Sequence, residues 1–320
     1  MTRTKIILIL ASILISFSCN KQAVKEQIHK IKFIKVSDKV NLELLDWGGT
    51  GTPMFFLTGM GNSAHVFDEF APRFTDKFHV YALTRRGFGA SSQPKDGYNL
   101  ATLSQDIISV IDHLHLKKVI LVGHSIASEE ITKIAGDHPG KIEKIVYIDA
   151  AYDRTELSKI FTLMPQFPAP KSSDSASIEA VSRYEKRVNG ISMPHEELKQ
   201  VMIFSKEGKL LKSVTPDSIS GAMISIVVKP DYKKIKCPSL AIYAKFNKVK
   251  DIFAFYDTSD SLKNKSKAKQ LFQLMIRFTT ESPALFLKES KNGIVKKIKG
   301  HHYLFLSNPD ETEKLMRDFL

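Results

Sequence analysis

Short apolar runs alternate with amphipathic stretches along most of this chain, and the alternation predicts its elements. Runs at 30–36, 40–47, 53–58, 79–84, 118–122, 142–148, 239–244 and 293–298 read as strands. Between 106 and 116, Ile107, Val110, Ile111 and Leu114 fall on one face at helical spacing, the pattern of a helix packed on a sheet. A second helix is predicted over 126–135, stopped near His138-Pro139-Gly140. A closing helix is predicted over 308–320, with Asn308 or Ser307 as its cap and Pro309 in the first turn. Strands alternating with helices imply an α/β fold, with a mostly parallel sheet covered on both faces. The rhythm breaks over 151–236, which begins Pro-rich at Met164-Pro165-Gln166-Phe167-Pro168-Ala169-Pro170 and then turns helical and charged. That interval reads as a helical cap inserted between two sheet strands. Gly48-Gly49-Thr50-Gly51-Thr52 joins two strands and carries no P-loop lysine, so it is a tight connection and not a phosphate cradle.

Composition changes this picture in two places. With 320 residues, 43% hydrophobic and 25% charged, the chain is ordinary for one large domain with an insertion, but its net charge of +13 is not. Lysines supply most of the excess, with clusters at 263–269 and 291–299. They read first as a solvated surface and second as an attraction to anionic headgroups. No nucleic-acid motif or aromatic-interleaved basic stripe accompanies them, so nucleic acid is not expected as a partner. At the N-terminus, the basic Thr2-Arg3-Thr4-Lys5 precedes a nearly unbroken apolar run from Ile6 to Phe17, which ends at Ser18-Cys19-Asn20-Lys21. The run is short for a permanent span and fits a secretory signal. Its end resembles the lipobox of bacterial lipoproteins, with Ser16 and Phe17 departing from the usual residues. The resemblance implies cleavage before a lipidated Cys19. The expected location is that of an exported, membrane-anchored bacterial lipoprotein, facing the periplasm or at the cell surface, with an uncleaved anchor as the alternative. Cleavage would remove Arg3 and Lys5 and lower the charge to +11. Residues 20–29 form a polar tether, and Cys237, left as the lone thiol, is expected to be buried and structural.

Candidate chemistry begins at Gly123-His124-Ser125-Ile126-Ala127, where an apolar run gives way to a helical pattern. A serine on such a turn stands clear of the sheet beside helix N-terminal N–H groups, which makes it a usable nucleophile once a base is near. The pentapeptide resembles the G-x-S-x-G nucleophile elbow of the α/β-hydrolase family, with Ala127 where the last glycine usually stands. Gly300-His301-His302-Tyr303-Leu304 with Asn308-Pro309-Asp310 is similar to the histidine loop of haloalkane dehalogenase-like members, which implies His302 as the base and His301 as its alternative. Thr58-Gly59-Met60-Gly61 resembles the family's His-Gly-x-Gly loop, so the N–H groups of Met60 and Ile126 are the implied oxyanion donors. Arg85-Arg86-Gly87-Phe88-Gly89-Ala90-Ser91 resembles a further family segment whose role is structural. Where many relatives carry the acid after a later strand, this chain has Ala244-Lys245-Phe246-Asn247. The acid is therefore assigned to Asp149, at the end of the preceding strand, with Asp251 as a shifted alternative.

The resemblance covers about 40–150 and 235–320. It implies an eight-stranded, mostly parallel α/β-hydrolase sheet with helices on both faces, organised as a signal segment (1–19), a core (20–150 and 237–320) and a helical cap (151–236). It further implies a serine hydrolase that cleaves a small ester or related acyl substrate through Ser125, His302 and Asp149, without metal or other cofactor. Epoxide and carbon–halogen chemistry are disfavoured, because those members use an aspartate where Ser125 stands. Two other readings stand beside it. One is a catalytically weak binding protein on the same fold, suggested by Thr58, Ala127 and Asn247; the other is a basic surface-binding lipoprotein.

Overall fold

Successive residues of each central strand point to opposite faces of one sheet, and both faces are covered. In the strand Pro53–Leu57, Met54 and Phe56 pack into one apolar layer while Phe55 and Leu57 pack into the other. The structure is a computed structural model that describes residues 29–259 and 261–320; the expected signal segment, Cys19 and residues 20–28 of the tether lie outside the described residues.

The chain lays down β1 (Lys30–Ser37), β2 (Val40–Gly48), β3 (Pro53–Leu57), β4 (His79–Leu83), β5 (Val119–His124) and β6 (Ile142–Ile148), close to the apolar runs. A separate antiparallel hairpin, β7 (Met202–Phe204) and β8 (Leu210–Ser213), follows before β9 (Ser239–Lys245) and β10 (Gly293–Lys299) complete the large sheet. Its eight strands lie in the order β1-β2-β4-β3-β5-β6-β9-β10, and only β2 runs against its neighbours. Strand order reverses at β3, with β4 on one side and β5 on the other. At such a switch point the loops after two strands diverge and leave a crevice at the sheet's carboxyl edge.

The first helix, α1 (Leu100–His113), begins ahead of the predicted 106, because the Asn99 side chain accepts a hydrogen bond from Thr102 N at 3.0 Å and caps it. It shares one face of the sheet with α2 (Ala127–Asp137). Within 151–236 stand α3 (Leu157–Leu163), α4 (Ile178–Asn189), α5 (His195–Val201) and α6 (Asp217–Ala222), together with the β7–β8 hairpin that an all-helical reading did not anticipate. The hairpin's strands are short and largely uncovered, so no alternating burial marks them in the sequence. A larger difference is α7 (Leu262–Glu289), 28 residues long, which begins in the first lysine cluster. Its buried Ala268, Leu271, Phe278 and Phe286 recur at helical spacing among the charges, and they seat it against the same face as α1 and α2 or against the loops after β9. The chain closes with α8 (Leu304–Ser307) and α9 (Pro309–Phe319) on the other face. Cys237, expected to be buried, is half-buried: it packs against the edge of the core, and partial burial pushes its thiol up to about 11. Among the described residues no helix is long and apolar enough to cross a membrane.

Candidate active site

Ser125 follows β5 directly and is held at a φ of +54°, a left-handed conformation that a non-glycine residue adopts only under constraint. The constraint comes from a tight strand-to-helix passage. A Cβ on Gly123 would meet Ile131 Cδ1 at 2.7 Å and the Ala127 Cβ at 3.4 Å, so a side chain at 123 would displace the Ile131 tip while a methyl is accommodated at 127. This turns the Ser125 side chain out at the crevice.

The carboxylate arrives from the adjacent strand. Asp149 follows β6, is itself held at a φ of +45°, and is almost wholly buried. One oxygen, Oδ1, accepts from the Ala244 N–H at 2.8 Å and from the Tyr152 hydroxyl at 2.5 Å. The other, Oδ2, lies 2.6 Å from His302 Nδ1. With Oδ1 occupied by two donors, Oδ2 is left to the imidazole, which fixes the ring's orientation and leaves Nε2 as the free, basic nitrogen. Neither His302 Nε2 nor Ser125 Oγ bonds another described residue, and both side chains border the same cavity.

His302 is braced from behind. The buried His124 ring packs 4.6 Å from it, and His124 Nε2–H donates to the His302 carbonyl at 3.2 Å. Burial, and then the neighbouring His302, drive the His124 pKa well below its ordinary value, so it serves as a neutral strut. His301 also borders the cavity, but Asp149 bonds its neighbour instead, and burial pushes the His301 pKa down to about 4. Asp251 bonds neither member of this pair; its Oδ2 accepts from the backbone of Asn247 and Lys248 and closes a turn.

The loop after β3 runs beside Ser125. A Cβ on Gly59 would lie 2.8 Å from His124 Nδ1 and 3.2 Å from Ser125 Cβ, so only glycine lets this backbone approach so near. The N–H groups of Met60 and Ile126 have no acceptor among the described residues, as suits donors kept for a developing oxyanion.

Two residues outside the sequence assignment hold that loop. Arg85 forms a bidentate buried pair with Glu130, at 2.7 and 2.5 Å, and donates to the carbonyls of Thr58 and Gly59 at 3.0 and 3.4 Å. From above, Glu197 of α5 takes donors from Asn62 Nδ2 at 2.9 Å, Ser63 N at 3.0 Å and Ser63 Oγ. Tyr303, next to His302, donates to Asn62 Oδ1 at 3.0 Å, so loop, cap helix and histidine loop share one buried network. Burial raises the Glu197 pKa to about 7 against the pull of its donors. Arg85 was legible only as part of a structural segment. Nothing near Glu197 marks it in the sequence, since its partners lie more than 130 residues away.

The cavity encloses about 350 Å³. Arg154 borders it but is committed, with Nη1 2.7 Å from Ser128 Oγ and 3.6 Å from the Glu129 carboxylate. Elsewhere His29, His65 and Asp68 bring ligand-type atoms within 4.8 Å of one another. His65 there lies between Asp68 at 3.0 Å and Glu43 at 3.5 Å; these carboxylates outweigh burial and raise its pKa to about 9. A charged imidazolium between two carboxylates accounts for that cluster without a metal.

A sequence profile of the alpha/beta hydrolase fold matches residues 52–206, the stretch that carries the elbow and the loop after β3. The chain has the α/β-hydrolase fold. Among curated proteins, the α/β-hydrolase-fold chain is 33% identical over 109 residues to 2-(acetamidomethylene)succinate hydrolase of Mesorhizobium japonicum, covering 34% of this chain and 39% of that protein. It is 32% identical over 120 residues to a non-heme chloroperoxidase of Streptomyces lividans, covering 37% and 44%. The chain thus spans about two-fifths of the length of the curated relatives it matches. Solved structures agree over more of its length. The crystal structure of E-2-(acetamidomethylene)succinate hydrolase superposes with a TM-score of 0.64 at 19% identity, covering 91% of this chain and 98% of that one. A serine hydrolase involved in carbazole degradation superposes at 0.62 and 15% identity, with the same coverage.

Proposed function

We propose that this chain is a hydrolytic enzyme, and specifically a serine hydrolase that cleaves an ester through an acyl-enzyme. Ser125 Oγ attacks the carbonyl carbon while His302 Nε2 takes its proton, and the oxyanion forms against the N–H groups of Met60 and Ile126. His302 then protonates the leaving alcohol, and a water, deprotonated by the same nitrogen, releases the acid. Asp149 keeps the ring in the required tautomer and stabilises the imidazolium between the two transfers. The observation that carries this reading is the 2.6 Å pairing of His302 Nδ1 with the buried Asp149, at the cavity that Ser125 also borders. The hydrolase relatives, and an oxyanion loop held to the approach that glycine alone allows, support it.

Labelling with a fluorophosphonate followed by peptide mapping tests it. The tag is expected on the peptide that contains Ser125 and is expected to vanish in Ser125→Ala, together with the burst of p-nitrophenol from p-nitrophenyl acetate. A tag elsewhere, or a burst that survives the substitution, refutes the mechanism. The proposal extends to location: lipidation at Cys19, after cleavage of the apolar leader, would anchor the enzyme to a bacterial membrane. Metabolic labelling with a palmitate analogue, lost in Cys19→Ala, is the expected result.

A further inference from the structure

The cavity beside Ser125 is lined by two unlike sets of residues. The polar set is Ser125, Asp149, Asp153, Arg154, His301 and His302. The remainder is apolar and is assembled from separate parts of the chain. Met164 and Phe167 come from the segment after α3, Phe246 and Phe253 from the loops after β9, and Leu271 and Met275 from α7. Besides the Asp149–His302 pair, the charged side chains that border the cavity are Asp153 and Arg154. Arg154 is met by Glu129 and by the Tyr152 ring, 5.4 Å away, and Asp153 takes donors from Thr155 N and Oγ1 at 3.0 and 2.6 Å. A carboxylate or ammonium placed against the apolar residues would be desolvated with no counter-charge among them, which is costly. An aliphatic chain gains there for every methylene removed from water.

Resting on the serine-hydrolase reading, we propose that the substrate is an uncharged ester with one flexible apolar group of medium length, lodged against α7 between Phe253 and Met275. At roughly 30 Å³ for each water-sized group, the cavity accommodates an ester head and about six to eight carbons. The three elements that form this wall also explain its adaptability: methionine at 164 and 275 is unbranched and fits chains of differing shape.

The test is a series of p-nitrophenyl esters from acetate through butyrate and hexanoate to octanoate, with the charged hemisuccinate as comparison. Burial of each methylene raises kcat/KM by up to about fourfold, so hexanoate is expected to exceed acetate by at least about tenfold. Hemisuccinate is expected to fall at least about tenfold below butyrate. Hexyl acetate compared with ethyl acetate assigns the pocket to the alcohol side if the preference appears there, which equally supports an apolar occupant. Met275→Trp is expected to lower the hexanoate-to-acetate ratio, and Met275→Ala to move the optimum to longer chains. If the tryptophan variant fails to fold, the alanine variant carries the comparison. A flat or falling acyl series together with no preference for hexyl over ethyl acetate, or a hemisuccinate preference, while fluorophosphonate still labels Ser125, overturns this inference and leaves the catalytic reading intact. Absence of both labelling and hydrolysis overturns both.

Discussion

At the scale of single residues, the site depends on two left-handed backbone positions occupied by non-glycine side chains. Ser125 and Asp149 each hold positive φ at the end of adjacent strands, which directs both side chains to the same edge of the sheet. Asparagine tolerates that conformation well, so Asp149→Asn is expected to fold normally while it removes the charge that steadies the imidazolium. Its kcat is expected to fall by about 10³–10⁴-fold, with KM little changed and circular dichroism unaltered. Gly59→Ala tests the neighbouring loop. The added methyl would sit 2.8 Å from the His124 ring and force the backbone of Met60 away from Ser125. A loss of about 10²-fold in kcat at near-native stability is the expected result, and wild-type turnover would show that the loop donates nothing to the reaction.

Elements carry the next level of control, because no single strand or helix contains the site. Helix α5 reaches the loop after β3 through Glu197, whose carboxylate satisfies three donors on Asn62 and Ser63. Truncation in Glu197→Ala leaves those groups buried without an acceptor. The expected cost is about 2–4 kcal/mol of unfolding free energy, read by urea titration. Glu197→Gln keeps the volume and part of the bonding. Because burial raises the Glu197 pKa to about 7, the wild-type carboxyl contributes less as pH rises from its ordinary range to 7. The stability gap between wild type and Glu197→Gln is therefore expected to narrow over that interval and to stay constant above it. A gap that widens with pH would contradict the assignment of a raised pKa. The long α7 plays the matching role on the opposite side of the cavity, where Leu271 and Met275 supply wall that the sheet itself does not reach.

For the whole molecule, buried titratable groups set a common pH response. Burial raises Glu129, Glu185 and Glu197 each to about 7, and the carboxylates around His65 raise it to about 9. A raised carboxyl holds its proton more tightly when folded, so stability is full at low pH and declines as pH climbs toward 7. His65, with a raised pKa, contributes fully below its ordinary 6.5 and loses that contribution as pH passes 9. His301 works in the other direction: burial lowers it to about 4, so stability falls as pH drops from 6.5 toward 4. Thermal melts are accordingly expected to show Tm decreasing from pH 6.5 to 9, while below 6.5 the loss at His301 is opposed by the gain at the three carboxyls. His65→Gln is expected to flatten the alkaline limb. A Tm that rises between pH 7 and 9 would rule out the charged His65 between its two carboxylates.

What the sequence determined by itself is what local pattern can encode. Alternating or continuous apolar runs located the eight strands of the sheet to within a residue or two, since strand burial is written in consecutive side chains. The elbow was legible because a glycine, a serine and a small residue must stand at fixed spacing where strand and helix pass closely. The helix α7 was missed because its apolar positions are diluted among lysines, and the β7–β8 hairpin because its strands bury too little to leave a pattern. Only the tertiary structure decided which carboxylate meets His302, because Asp149 and Asp251 are equivalent on paper. Asp149 sits where the Ala244 N–H and the Tyr152 hydroxyl occupy one oxygen and turn the other to the ring, whereas Asp251 spends its oxygen on a local turn. The grip of Arg85 and Glu197 on the loop after β3 is of the same kind. Contacts between residues far apart in the chain leave no local trace, and they exist only once the sheet has brought its carboxyl edge together.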